Sequence, residues 1–290
     1  MNTDAVNKEN VNKKAVNKNA VNYDSANKDT GYKDSVNIDS GNALPRKKPG
    51  LKEYLRGFIP QRVSNGAVVG FLRFTKGISK PFTRRNKDEA LTQLSRIENH
   101  LKSCRQSFIE NQNDYTDVGY GAKTMQYSGC GVFAVYNALV YLNKKTGYKK
   151  TDELKKILSF PPAQRLSYLI KAFEKNGIVF SGNLGTSPKS IRDFFAKLGL
   201  STVMTSRVSD FDRMGEESDT LILMMYNDRE NIFNNVHTIN ISKDGARFTA
   251  HNVYANGRIS PPGRTVGETI KNIGNGKAKG ICLIGISVKE

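Results

Sequence analysis

The spacing of apolar residues changes several times along the chain. Residues 5–44 repeat every five positions (AVNKE, NVNKK, AVNKN), with one small apolar residue per unit and Asn at 7, 12, 17, 22, 27, 37 and 42. A period of five matches neither helix nor strand. Such a segment cannot bury enough surface to offset its ordering entropy, so residues 1–44 are expected to be a disordered tail. Over 88–112, Leu91, Leu94, Ile97, Leu101, Cys104 and Phe108 recur at three and four, and Asp88 and Glu89 suit a first turn. This predicts an amphipathic helix with Cys104 packed on its stripe and His100 at a surface or interface. Val132–Leu142 is apolar almost all round and predicts a helix buried in a core. Thr151-Asp152-Glu153 starts another helix. Pro162 opens one with the face Leu166, Leu169, Ile170 and Phe173, ended by Gly177, and Ser187-Pro188 caps one that Gly199 follows. A short strand is expected at 178–180, then strands at 200–205, 220–226, 236–241, 246–254 and 280–288. Ser242-Lys243-Asp244-Gly245 is a hairpin signal between two of them. Helices first and an antiparallel sheet second give an α+β fold class.

Charge adds a division of the chain. Of the net +18, residues 1–44 contribute nothing and residues 45–112 contribute +10. Residues 51–87 interleave apolar side chains with Arg56, Arg62, Arg73, Lys76, Lys80, Arg84, Arg85 and Lys87, and Gly66, Gly70 and Gly77 are expected to interrupt any long helix. Two readings stand for 45–87: an arm that lies on an anionic membrane surface or nucleic acid, or a solvated basic linker partly packed on the body. The expected organisation is a tail over 1–44, a basic linker and amphipathic helix over 45–112, and a catalytic domain over 113–290. Three cysteines, Cys104, Cys130 and Cys282, cannot all pair, and no C-x-x-C spacing occurs. Disulfide scaffold and structural zinc are therefore not expected, nor is any cofactor. No apolar run approaches the ~18 residues of a membrane span, and the N-terminus lacks a signal-peptide core. A cytoplasmic monomer is the expectation.

Candidate chemistry centres on Gln126-Tyr127-Ser128-Gly129-Cys130-Gly131. A cysteine between two glycines at the mouth of a buried helix meets unpaired N–H groups and the positive dipole end, which lower a thiol's pKa. The glycines let another chain approach the sulfur. The alternative is that Cys130 is a small buried hydrophobe. A thiolate nucleophile needs a base, and histidine is the natural one. His237 opens one strand of the expected hairpin, while His251 and Asn252 end its partner, so they should lie side by side. Adjacent strand residues face opposite ways, so only one of His251 and Asn252 can face His237. Asn252 is preferred as the group that orients the imidazole, with His251 outward-facing. The reverse assignment stays open.

The order Gln126, Cys130, His237, Asn252 resembles papain-like cysteine peptidases. It is closest to the bacteriocin-processing, double-glycine leader peptidase group and its stand-alone relatives. The likeness rests on Cys-Gly opening a buried helix after a Gln. It rests also on His-x-x-x-Ile followed 15 residues later by Asn252, and on Gly185-Thr186-Ser187-Pro188 leading into a helix between the two halves. The resemblance covers roughly residues 115–290. It implies a papain-like fold in which a helical lobe carrying the nucleophile helix packs on an antiparallel sheet. It further implies Cys130 as nucleophile, His237 as general base and acid, and Asn252 as orienter. Gln126, or Ser128 or a backbone group in its place, would help stabilise the oxyanion. A peptide or protein is the implied substrate, without metal. Competing expectations are transglutaminase or deamidase chemistry at the same site, and an inactive papain-like module tethered by residues 45–87. Residues 1–112 could also form a removable pro-segment.

Overall fold

In the computed structural model the chain divides into two units, residues 1–48 and 49–290. The described residues are 64–78, 87–103, 108–179, 182, 184–227, 236–253 and 260–288, all in the second unit. The expected tail, most of the basic arm and Cys104 lie outside them.

The fold is α+β. Five antiparallel strands run in the order β3 (Ser201–Thr205), β7 (Lys279–Ser287), β4 (Thr220–Tyr226), β5 (Val236–Asp244) and β6 (Arg247–His251). A two-residue hairpin, β1 (Gly119–Tyr120) with β2 (Lys123–Thr124), stands apart. Every residue of β4 is buried, because helices cover both faces of the sheet. Ile222, Met224 and Tyr226 join one core, while Leu221, Leu223 and Met225 join the other.

The larger core holds Cys130–Lys144, an apolar helix that crosses β5 and β4. Around it pack Asn65–Ile78 (α1), Lys87–Ser103 (α2), the single turn Met125–Ser128 (α3), Asp152–Ser159 (α5), Pro162–Asn176 (α6) and Pro188–Lys197 (α7). With these named, Cys130–Lys144 is α4. The smaller core lies under Phe211–Glu217 (α8) and Val266–Asn272 (α9). No described helix is long and apolar enough to cross a membrane.

Local chemistry explains most element ends. The Thr151 hydroxyl accepts from Leu154 N–H at 3.2 Å and caps α5. Proline occupies the first turn of α6 and of α7, where its missing N–H costs nothing. Gly245, with φ +56, opens the two-residue turn that fixes Asp244 opposite Arg247.

Several expectations are corrected. Gly66, Gly70 and Gly77 all lie inside α1 instead of interrupting it. Each glycine costs roughly 1 kcal/mol of helix propensity, but Val68, Val69 and Leu72 are buried against the body, and burying such side chains contributes more. The strand expected at 178–180 is a single bridge between Ile178 and Thr186. Helices α8 and α9 were not read from the periodicity. The helix expected through residue 112 does not include residues 108–111. The Ile109 N–H and C=O are both taken by the buried side chain of Asn137, at 2.8 and 2.9 Å, so they cannot serve a helical ladder. Residues 108–112 instead form a strap laid across the larger core and the edge strand.

Candidate active site

Cys130 is the first residue of α4, capped by Gly129. The run that follows is buried from Gly131 to Val140, and this fixes where the helix begins relative to the sheet. At Gly131 an added Cβ would stand 2.7 Å from the Thr186 Cβ, so the 184–187 segment presses on the helix mouth. Gly185, with φ +68, lies beside the sulfur, and a Cβ there would sit 4.0 Å from Cys130 Sγ and 3.3 Å from Ser128 O. Cys130 itself is partly exposed.

The N–H and hydroxyl of Thr238 and the N–H groups of Gly131 and Cys130 lie towards the sulfur and favour its anion. Burial nevertheless outweighs these donors and pushes the thiol above its usual pKa. This corrects the expectation of a thiol lowered by the helix end.

His237 precedes Thr238 on β5 and is fully buried. Burial lowers its pKa to about 4, opposed by its hydrogen bond to Asn252. That bond, 2.6 Å from Nε2, goes to the Asn252 backbone carbonyl. A carbonyl only accepts, so Nε2 carries the proton and the basic lone pair of the neutral ring is on Nδ1. Alternation along β5 sends the His237 side chain to the face opposite Thr238, the face of Ile239 and Ile241. Sulfur and ring therefore lie on opposite faces of β5, separated by the Thr238–His237 peptide.

Asn252 orients the ring, but not through the expected group. Strand β6 ends at His251, and Asn252 turns left-handed with φ 65. Its side chain then faces Gln112: Oδ1 accepts the Gln112 N–H at 3.1 Å, and Nδ2 donates to Gln112 Oε1 at 3.1 Å. Gln126 is half-buried in α3 and enters this network through its backbone, its carbonyl accepting from Gln112 Nε2 at 2.7 Å. Ser128 is buried, and its hydroxyl donates to Thr124 O at 3.3 Å.

His251 is not outward-facing. It is 4% exposed, with Nδ1 2.6 Å from Glu110 Oε1, Nε2 2.8 Å from Ser242 Oγ, and Phe108 stacked on its ring. The edge-strand face expected to meet solvent is covered by the strap. Glu110, Gln112 and Thr238 were missed as members of this site, since no spacing links 110–112 to 252. His100 is a surface residue against Asp117, at 2.6 Å, and its bond lowers the Asp117 pKa.

Among the described residues no cluster of His, Cys, Asp or Glu is arranged to hold a metal ion. Comparisons with protein-family models, curated proteins and solved structures found no match.

Proposed function

We propose that the chain is a papain-like cysteine peptidase acting through a Cys130 acyl-enzyme. The observation that carries this reading is the meeting of two elements. The sulfur at the mouth of α4 faces Thr238 of β5, and the residue before Thr238 is a histidine whose ring is held by the Asn252 carbonyl. The sequence resemblance to double-glycine leader peptidases supports the same assignment.

In this reading the resting pair is a neutral thiol and a neutral imidazole. As substrate binds, the start of β5 must bring the His237 ring round to the α4 face, where Nδ1 takes the thiol proton while Sγ bonds to the substrate carbonyl carbon. Catalytic hydrogen bonds commonly tighten only in the substrate complex. The N–H of Cys130 is the oxyanion donor, with Gln126 as its candidate companion. Collapse of the tetrahedral intermediate breaks the C–N bond, and the imidazolium returns its proton to the leaving amine. Water then attacks the thioester, passing a proton to His237, and the carboxylic product leaves as Sγ is reprotonated.

The test is labelling with a peptide-mimicking epoxide followed by mapping of the modified residue. Wild type is expected to be alkylated at Cys130, and Cys130→Ala to take no label. Folded wild type that stays unlabelled at Cys130 would end the proposal.

A further inference from the structure

We infer that Glu110 and Gln112 are positioning residues for His237, acting through the backbone of Asn252; this rests on the reading of His237 as the base. The Glu110 side chain is only 9% exposed. One carboxylate oxygen takes His251 Nδ1 at 2.6 Å, and the other takes the Asn252 N–H at 3.0 Å. Two residues on, Gln112 grips the Asn252 side chain at both ends, while its own Nε2 donates to Gln126 O. Just before them the N–H and C=O of Ile109 are locked to Asn137 of α4. The strap is therefore fastened to the nucleophile helix and to the end of β6.

What it fastens is an uncommon backbone. Asn252 is the only non-glycine residue with positive φ among the described residues. A residue held in that region persists where its surroundings over-determine it, often at a functional site. Here the N–H, Oδ1 and Nδ2 of Asn252 are all committed to Glu110 and Gln112. The one remaining backbone group is the carbonyl, and it accepts from His237 Nε2. A β6 extended by one more residue would place Asn252 opposite Ile239, following Asn240 opposite His251. The left-handed turn takes the carbonyl out of that ladder and delivers it to the ring, and this sets which ring nitrogen bears the proton.

A strap that served only as a clasp would affect stability and nothing else, so the test reads the ring. The full chain is labelled with ¹⁵N-histidine, and the His237 signals are assigned by their loss in His237→Ala. In wild type at pH 7 the Nε2–H tautomer is expected to dominate. Glu110→Gln must turn an amide NH₂ towards one of two donors, and Gln112→Met removes the Oε1 that accepts from Asn252 Nδ2 while the backbone N–H stays on Oδ1. Each is expected to give a mixture of tautomers and to slow iodoacetamide alkylation mapped to Cys130 by about tenfold, less than the ~100-fold or more that loss of a general base costs. Ser242→Ala cuts the other bond of His251 and is expected to leave the His237 signals and the rate within about twofold, as for a change outside the base's own contacts. Unchanged His237 signals in folded Glu110→Gln and Gln112→Met overturn the inference. So does an equal displacement in Ser242→Ala, or loss of fold in both strap variants by circular dichroism. If His237→Ala leaves Cys130 alkylation untouched, the peptidase reading falls, while the ring signals still decide the role of the strap.

Discussion

His237 makes the stability of this protein depend on pH in a calculable way. Its imidazole is fully buried, and its pKa falls from 6.5 to about 4. Between those values the unfolded chain binds a proton that the folded one refuses. The stabilisation is therefore present above pH 6.5 and is lost as pH falls towards and through 4. A gap of two to three pKa units at 1.36 kcal/mol per unit amounts to about 3 kcal/mol. The perturbation is His237→Gln, which keeps a polar side chain at the position and removes the titration. Urea unfolding of both proteins at pH 7, 5.5 and 4 cancels the groups they share. Whatever the variant costs at pH 7, wild type is expected to lose about 3 kcal/mol more than the variant on going to pH 4. Parallel curves would show that the ring titrates normally and would refute the buried, carbonyl-bound imidazole. The same numbers bear on the proposed chemistry: a low imidazole pKa beside a raised thiol pKa disfavours a resting thiolate–imidazolium pair.

Three other perturbations probe the surroundings of the sulfur. Thr238→Val removes a hydroxyl that favours the thiolate while keeping the N–H. The thiol pKa should rise further, and a pH series of iodoacetamide alkylation mapped to Cys130 should move to higher pH; a series shifted to lower pH would contradict the contact. Gly185→Ala puts a Cβ in a left-handed position 4.0 Å from Sγ. It should cost about 1–2 kcal/mol in urea unfolding and slow epoxide labelling of Cys130, and an unchanged labelling rate would place the approach to the sulfur elsewhere. Asn137→Leu leaves the Ile109 N–H and C=O without their buried partner. A loss of roughly 2–5 kcal/mol is expected for two stranded groups, and a loss under 1 kcal/mol would mean the strap is not held there.

Much of the scaffold could be read along the chain because its signals are local. The Thr151 cap, the prolines that open α6 and α7, and the short apolar runs of β4 and β7 act within a few residues of themselves. Helix α1 escaped that reading because its glycines argue against a helix locally, and only the sheet beneath Val68, Val69 and Leu72 reverses the balance. The end of α2 escaped because the competitor for the Ile109 peptide is Asn137, twenty-eight residues on.

At the site the division is sharper. That Cys130 opens a buried helix and that His237 and Asn252 end neighbouring strands follows from apolar periodicity and one hairpin signal, both local properties. Which atom of Asn252 meets the ring, which way His251 faces, and whether the thiol is raised or lowered were decided by folding. Each depends on groups far apart in the chain. The strap reaches 140 residues to Asn252, and the burial that outweighs the donors at Cys130 is supplied by elements from both halves. Hydrogen-bond direction and desolvation are set by what finally surrounds a side chain, and sequence spacing carries no record of that.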